Sequence, residues 1–213
     1  MADAAVTPIG KPYFRQVEFY VFSIVAFVGK SWLLIQLPYR LWYINALYTS
    51  LLLLLFYFYF RFRQNIIAPP IVLFCLPAAV SVDVLGNYLG LYGHLFGPVQ
   101  FDEFAHFLGS GFSFVPAMWL LRATTRRMGV RLPLGLVAFL GVTITFSYCA
   151  WYEILELWDE QFFGMDRIHG EFDAPNDLQC DLAGIVAFAL LSSLIFKLAD
   201  KYSSETEQAY SAR

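Results

Sequence analysis

Long apolar runs separated by short polar breaks dominate the chain, and their length decides how they are read. About 20 consecutive apolar residues are needed for a helix to cross the hydrocarbon core of a bilayer. Segments of that kind recur at residues 17–37, 41–60, 66–90, 103–121, 132–151 and 178–197. The breaks between them carry Arg, Asp, Gly and Pro and are too short to hold a further domain. The pattern predicts an all-α fold, a polytopic transmembrane bundle of about six helices. A single transmembrane domain over residues 1–213 is expected, with a polar, frayed cytoplasmic tail over 200–213. The first run follows Lys11 and Arg15 as a signal peptide would, but it is too long and lacks a small-residue cleavage site, so it is expected to remain as a helix.

Composition agrees with lipid as the solvent. Hydrophobic residues make up 59% of the chain and charged residues only 15%, where soluble domains carry about 25% charged residues. A net charge of −3 argues against a nucleic-acid partner, which would need a clustered basic surface. Cys75, Cys149 and Cys180 lie far apart without a CxxC pair and read as buried free thiols.

Charge asymmetry sets the orientation. Eleven of the fourteen Lys and Arg residues, among them Arg61, Arg63, Arg122, Arg126, Arg127, Arg131 and Lys197, fall on the side that holds both termini. Cytoplasmic loops carry such an excess. Both termini are therefore expected in the cytoplasm of a multi-pass cell (inner) membrane protein. Tyr39, Trp42, Tyr43, Trp151, Tyr152 and Trp158 stand where amphipathic rings anchor at the interface. Pro69, Pro70, Pro77 and Pro116 fall in or near helices, where membranes tolerate prolines and helices can kink at them. Gly109, Gly111, Gly141 and Gly184 mark places where backbones can approach closely.

On this topology twelve of the seventeen Asp and Glu residues, and His94, His106 and His169, gather on the outer face. Asp102 and His106 are four apart, Glu153 and Glu156 three apart, Asp177 and Asp181 four apart, so each pair shares a helix face. Helix capping is an equal account of Asp102, Glu103, Asp173 and Asp177. It fails for Glu153 and Glu156, because the fifth helix runs outward and presents the negative end of its dipole there. Asp83 and Asp181 lie within membrane helices, where ionisable groups are functional candidates. A bound divalent metal, or protonation of some carboxylates, would offset the repulsion. Imidazole and carboxylate donors suit zinc, manganese or iron, and an oxygen-only subset calcium or magnesium. There is no HExxH helix, and Ser110 and Ser113 have no base beside them. His169, in a Gly-bracketed loop, and His94 read as surface residues.

The stretch Phe101-Asp102-Glu103-Phe104-Ala105-His106-Phe107, then Glu153 and Glu156, then residues 173–184 from Asp173 to Gly184, resembles the YjdF-like membrane proteins of unknown function. More distantly it is similar to VanZ-like proteins. The likeness spans roughly residues 75 to 195 and implies the architecture and the polar site without naming a reaction. Glu103 stands where the family usually has a basic residue, and only Arg167 lies near the place of the VanZ-like Arg motif.

The expected site is Asp102, His106, Glu153, Glu156, Asp177 and Asp181, with metal ligands drawn from His106, Glu153, Glu156, Asp177 and Asp181. The leading expectation is a metal-dependent membrane enzyme acting on a lipid-like or envelope substrate at the outer leaflet. Two alternatives stand beside it. One is a non-catalytic accessory subunit with a membrane-protein partner, and the other a small proton-coupled transporter using Asp83 and Asp181.

Overall fold

The computed structural model describes residues 69–92, 95–96, 99–164, 168 and 170–211. The first two expected spans, 17–37 and 41–60, lie outside the described residues. Residues 1–77 and 78–213 form two compact units. Of the first only the start of a helix is described; the second carries the site.

Helix α1 runs over Pro70–Tyr88, with proline at its first position, where the missing N–H costs nothing. A two-residue hairpin follows, β1 (Leu95–Phe96) antiparallel to β2 (Val99–Gln100), with Leu95 opposite Gln100. It delivers the chain into α2 (Phe101–Arg127), then α3 (Leu134–Phe163) and α4 (Asp173–Ser211). The described residues are mostly helical, and three of these helices are long and apolar enough to span a membrane: α2, α3 and the part of α4 from Asp173 to Lys197.

The last three helices outrun their apolar segments, and the reasons are local. The main-chain N–H of Gln100 donates to Glu103 Oε2 at 3.0 Å, an N-terminal cap that starts α2 at Phe101. At its other end Arg126 and Arg127 lie against the negative end of the helix dipole. Helix α3 was expected to stop near Trp151 but continues to Phe163, where Gly164 takes the left-handed conformation (φ 64°) that closes a helix. Helix α4 starts at Asp173 and runs on through the polar stretch to Ser211, so the tail is helical where fraying was expected.

Helices α2, α3 and α4 form an alternating bundle in which α2 packs on both others, most extensively on α4. Its core is Phe114, Met118, Val137, Cys149, Ile185 and Ala189. Only 28%, 22% and 28% of the apolar windows of α2, α3 and α4 are buried inside the bundle. Phe139, Leu190 and Phe162 point outward, while Asp177, Asp181, Glu153, Ser110, Thr145 and Ser192 are buried. Apolar groups outside and polar groups inside is the arrangement lipid selects.

Glycines set how closely the helices approach. A Cβ on Gly184 would run into the main-chain oxygen of Phe107, and one on Gly111 into the Phe188 ring. One on Gly141 would stand 3.0 Å from Phe114, and one on Gly109 3.6 Å from the main-chain oxygen of Ala79. Gly86, against the Phe101 ring, makes a further close approach that the sequence reading did not single out.

Candidate functional site

Alternation of the helices brings the N-terminal ends of α2 and α4 and the C-terminal half of α3 to one end of the bundle. Arg122, at the other end, lies over the Phe196 ring at 4.5 Å. Basic residues and the acidic constellation thus occupy opposite ends.

His106 lies five residues into α2, about 7.5 Å along it, and stands among carboxylates from all three helices. Its Nε2 is 3.8 Å from Asp102 Oδ1 and 3.9 Å from Asp177 Oδ2. Its Nδ1 is 3.3 Å from Asp181 Oδ1 and 3.7 Å from Glu153 Oε1. Glu156 joins Glu153 and His106 in a group whose ligand atoms lie within 4.8 Å of one another, as do Asp102, His106 and Asp177. Either group could hold a metal ion. All six side chains singled out in the sequence are therefore at one end of the bundle.

The group is shielded from water. Relative exposure is 2% for Asp177, 3% for Asp181 and 9% for Glu153. The His106 side chain is 11% exposed and that of Asp102 20%, and Glu156 is half-buried. Glu153 Oε1 is buried and has no hydrogen-bond partner; among the described residues the only other such atom is Thr145 Oγ1, two turns deeper in α3.

Beneath the site, the Ser110 hydroxyl donates to the main-chain oxygen of Asp181 at 3.0 Å, pinning α4 to α2 beside Gly184. The Cys149 thiol, read in the sequence as ordinary packing, hydrogen-bonds to the Asp181 carboxylate. The signal that could have found it is its spacing, one turn before Glu153 on the same buried face of α3. The Tyr152 ring lies edge-on to His106 with centroids 6.2 Å apart.

Other expected residues fall elsewhere. Glu103 caps α2. Asp83 accepts hydrogen bonds from the Tyr92 hydroxyl and, at 3.2 Å, from Asn87 Nδ2. Burial, and then the charge of Asp83, push the Tyr92 phenol far above its usual range and keep it a donor. Glu153 and Glu156 do not sit at a helix end: Glu153 lies about 15 Å before the C-terminus of α3, beyond the reach of the terminal dipole. Burial of Glu153, not the helix dipole, is what calls for a partner there. His94, His169 and Arg167 lie outside the described residues.

The family described as predicted membrane protein (DUF2238) matches residues 18–198. No curated protein matches the chain, and no solved structure does.

Proposed function

Given that the chain belongs to the DUF2238 family of predicted membrane proteins, of which the YjdF-like proteins are the same family, we propose that the His106 cluster is the divalent-metal centre of a membrane-embedded enzyme. The comparisons lend no support to the more distant VanZ-like likeness.

One observation carries the reading. Glu153 Oε1 is buried without a hydrogen bond and is aimed at a histidine ringed by three further carboxylates. A buried carboxylate oxygen without a donor keeps its full desolvation cost, and a cation among these groups removes it. Imidazole and carboxylate donors fit zinc, manganese or iron, with magnesium served by the oxygens alone. Such an ion acts as a Lewis acid on a carbonyl or phosphoryl oxygen and acidifies bound water. Asp102, whose side chain is 20% exposed, is placed to exchange protons with an arriving substrate. The lipid-facing walls make a lipid-like or envelope substrate the fitting class.

Elemental analysis of detergent-purified protein is expected to return a divalent metal near one per chain. Incubation of the protein in nanodiscs with a polar-lipid extract is expected to change a headgroup in a chelator-sensitive way. A metal-free preparation with stably co-purifying subunits would instead favour the accessory role, and proton-coupled uptake in liposomes the transporter.

The proposed orientation puts the basic end of the bundle, both termini and the 128–133 connection in the cytoplasm of the inner membrane. Met128 is 73% exposed in that loop, so a cysteine there, in a chain lacking its own three, reports directly. It should resist an impermeant thiol reagent in intact cells and react after lysis. Labelling in intact cells would invert the topology.

A further inference from the structure

We infer that the cation sits on the Nδ1 side of His106 with Glu153, Glu156 and Asp181, and that Asp102 and Asp177 hold the ring from its Nε2 side. The assignment rests on the metal reading above and adds which nitrogen and which carboxylates do which task. A neutral imidazole has one lone-pair nitrogen and one N–H. The two groups that share His106, one with Asp102 and Asp177 and the other with Glu153 and Glu156, are therefore alternatives. Whichever nitrogen meets the ion, the other turns a hydrogen toward the opposite carboxylates.

Three observations choose between them. Glu153 Oε1, the buried oxygen without a hydrogen bond, stands on the Nδ1 side, 3.7 Å from that nitrogen. The oxygens on this side are also the nearer ones, at 3.3 and 3.7 Å against 3.8 and 3.9 Å; the 3.3 Å pair is a hydrogen bond between Nδ1 and Asp181 Oδ1, which gives way to two neighbouring ligands when the ion takes the Nδ1 lone pair. Ligands bound at about 2.0–2.2 Å in a tetrahedral site stand roughly 3.3–3.6 Å apart, which the closer set approaches. Finally, Glu156 lies within 4.8 Å of both Glu153 and His106, so α3 brings Glu153 a neighbouring carboxylate for the ion.

With the ion there, the ring hydrogen is on Nε2 and faces Asp102 and Asp177. Both oxygens lie beyond hydrogen-bond length, and a side-chain movement of about 0.8 Å brings either into it. Metal-bound histidines nearly always donate their second N–H to such a carboxylate, which fixes the ring's tautomer and tilt. Asp177 is then a positioning residue, and Asp102 adds that task to its proton exchange with substrate; loss of either weakens the site without removing a ligand.

Cobalt(II) titration of purified full-length protein, read by ligand-field absorption with elemental stoichiometry, separates the two arrangements. Asp177→Asn and Asp102→Asn are expected to keep one ion per chain and the wild-type band shape, with affinity lower by about 10- to 100-fold. Glu153→Gln is expected to lose the stoichiometric ion or change the band shape. Glu156→Gln, at a less buried position, does the same where Glu153→Gln fails to fold. The reverse ranking, with Asp177→Asn abolishing the band and both glutamate variants only weakening it, would overturn the assignment. A wild-type protein that takes up no ion at all would overturn the metal reading itself, a distinct result.

Discussion

His106→Ala is expected to lower stability by about 3–5 kcal/mol and to abolish stoichiometric metal binding. The imidazole stands within 3.9 Å of carboxylates from Asp102, Glu153, Asp177 and Asp181, three of which belong to buried residues. Whether it meets them as a cation or through a bound ion, its removal leaves several acidic groups of one sign crowded away from water. Breaking a buried charged pair by removing one partner is costly for that reason, and ligand loss adds the mass-action stabilisation that the ion supplied. Thermal unfolding in detergent, followed by circular dichroism, should show a drop on the order of 10 °C for a chain of this length. His106→Gln, which keeps polarity and some bulk, should recover part of the stability and none of the metal. A variant as stable as the wild type would mean that the carboxylates are hydrated or paired without His106.

Much of this site was readable from spacing alone. The four-residue steps from Asp102 to His106 and from Asp177 to Asp181 put each pair on one helix face, and alternating spans put those faces at one end. Both inferences need only the 3.6-residue period and the hydrocarbon thickness. The end of α3 was not readable in the same way. Hydropathy falls after Trp151 because the helix leaves the apolar zone, and a loss of apolar character resembles a loss of helix. The residues from Trp151 to Phe163 are ordinary helix formers and stop only at Gly164. That misplaced end made Glu153 and Glu156 look like dipole violations, so two residues that do lie beside His106 were chosen for a reason that fails. Asp83 misled in another way. Its place inside a helix suggested a proton carrier, an idea the contacts leave untouched, while one of its partners, Tyr92, comes from the following loop and was not readable from spacing. Cys149 was invisible for a third reason, since its contact with Asp181 joins α3 to α4 and exists only once the bundle is packed. The first two spans, as noted, fall outside the described residues.

The second large effect is expected from one methyl group at Gly184. Its Cβ position is taken by the main-chain oxygen of Phe107, and Ser110 Oγ lies 2.8 Å away. Backbone cannot swing aside as a flexible side chain can, so Gly184→Ala must push α4 from α2. Overpacking of this kind costs typically about 1–3 kcal/mol, and Gly184→Leu should exceed that and abolish folded protein. The damage also reaches the site. Asp181 is one turn away on α4, and its main-chain oxygen accepts the Ser110 hydroxyl at 3.0 Å, so separating the helices breaks that bond and draws the Asp181 carboxylate away from His106 Nδ1. Gly184→Ala should therefore lower both the melting temperature and the metal content. Gly129, in the connection between α2 and α3, is no control, because it holds φ at 77°, where any side chain is strained. Gly135 is the proper control: it is exposed, without positive φ, and a Cβ there meets nothing within 4 Å. Gly135→Ala is expected to be neutral or stabilising by up to about 1 kcal/mol through helix propensity. Equal melting temperatures and equal metal content for Gly184→Ala and Gly135→Ala would show that the α2–α4 crossing does not hold Asp181 in place.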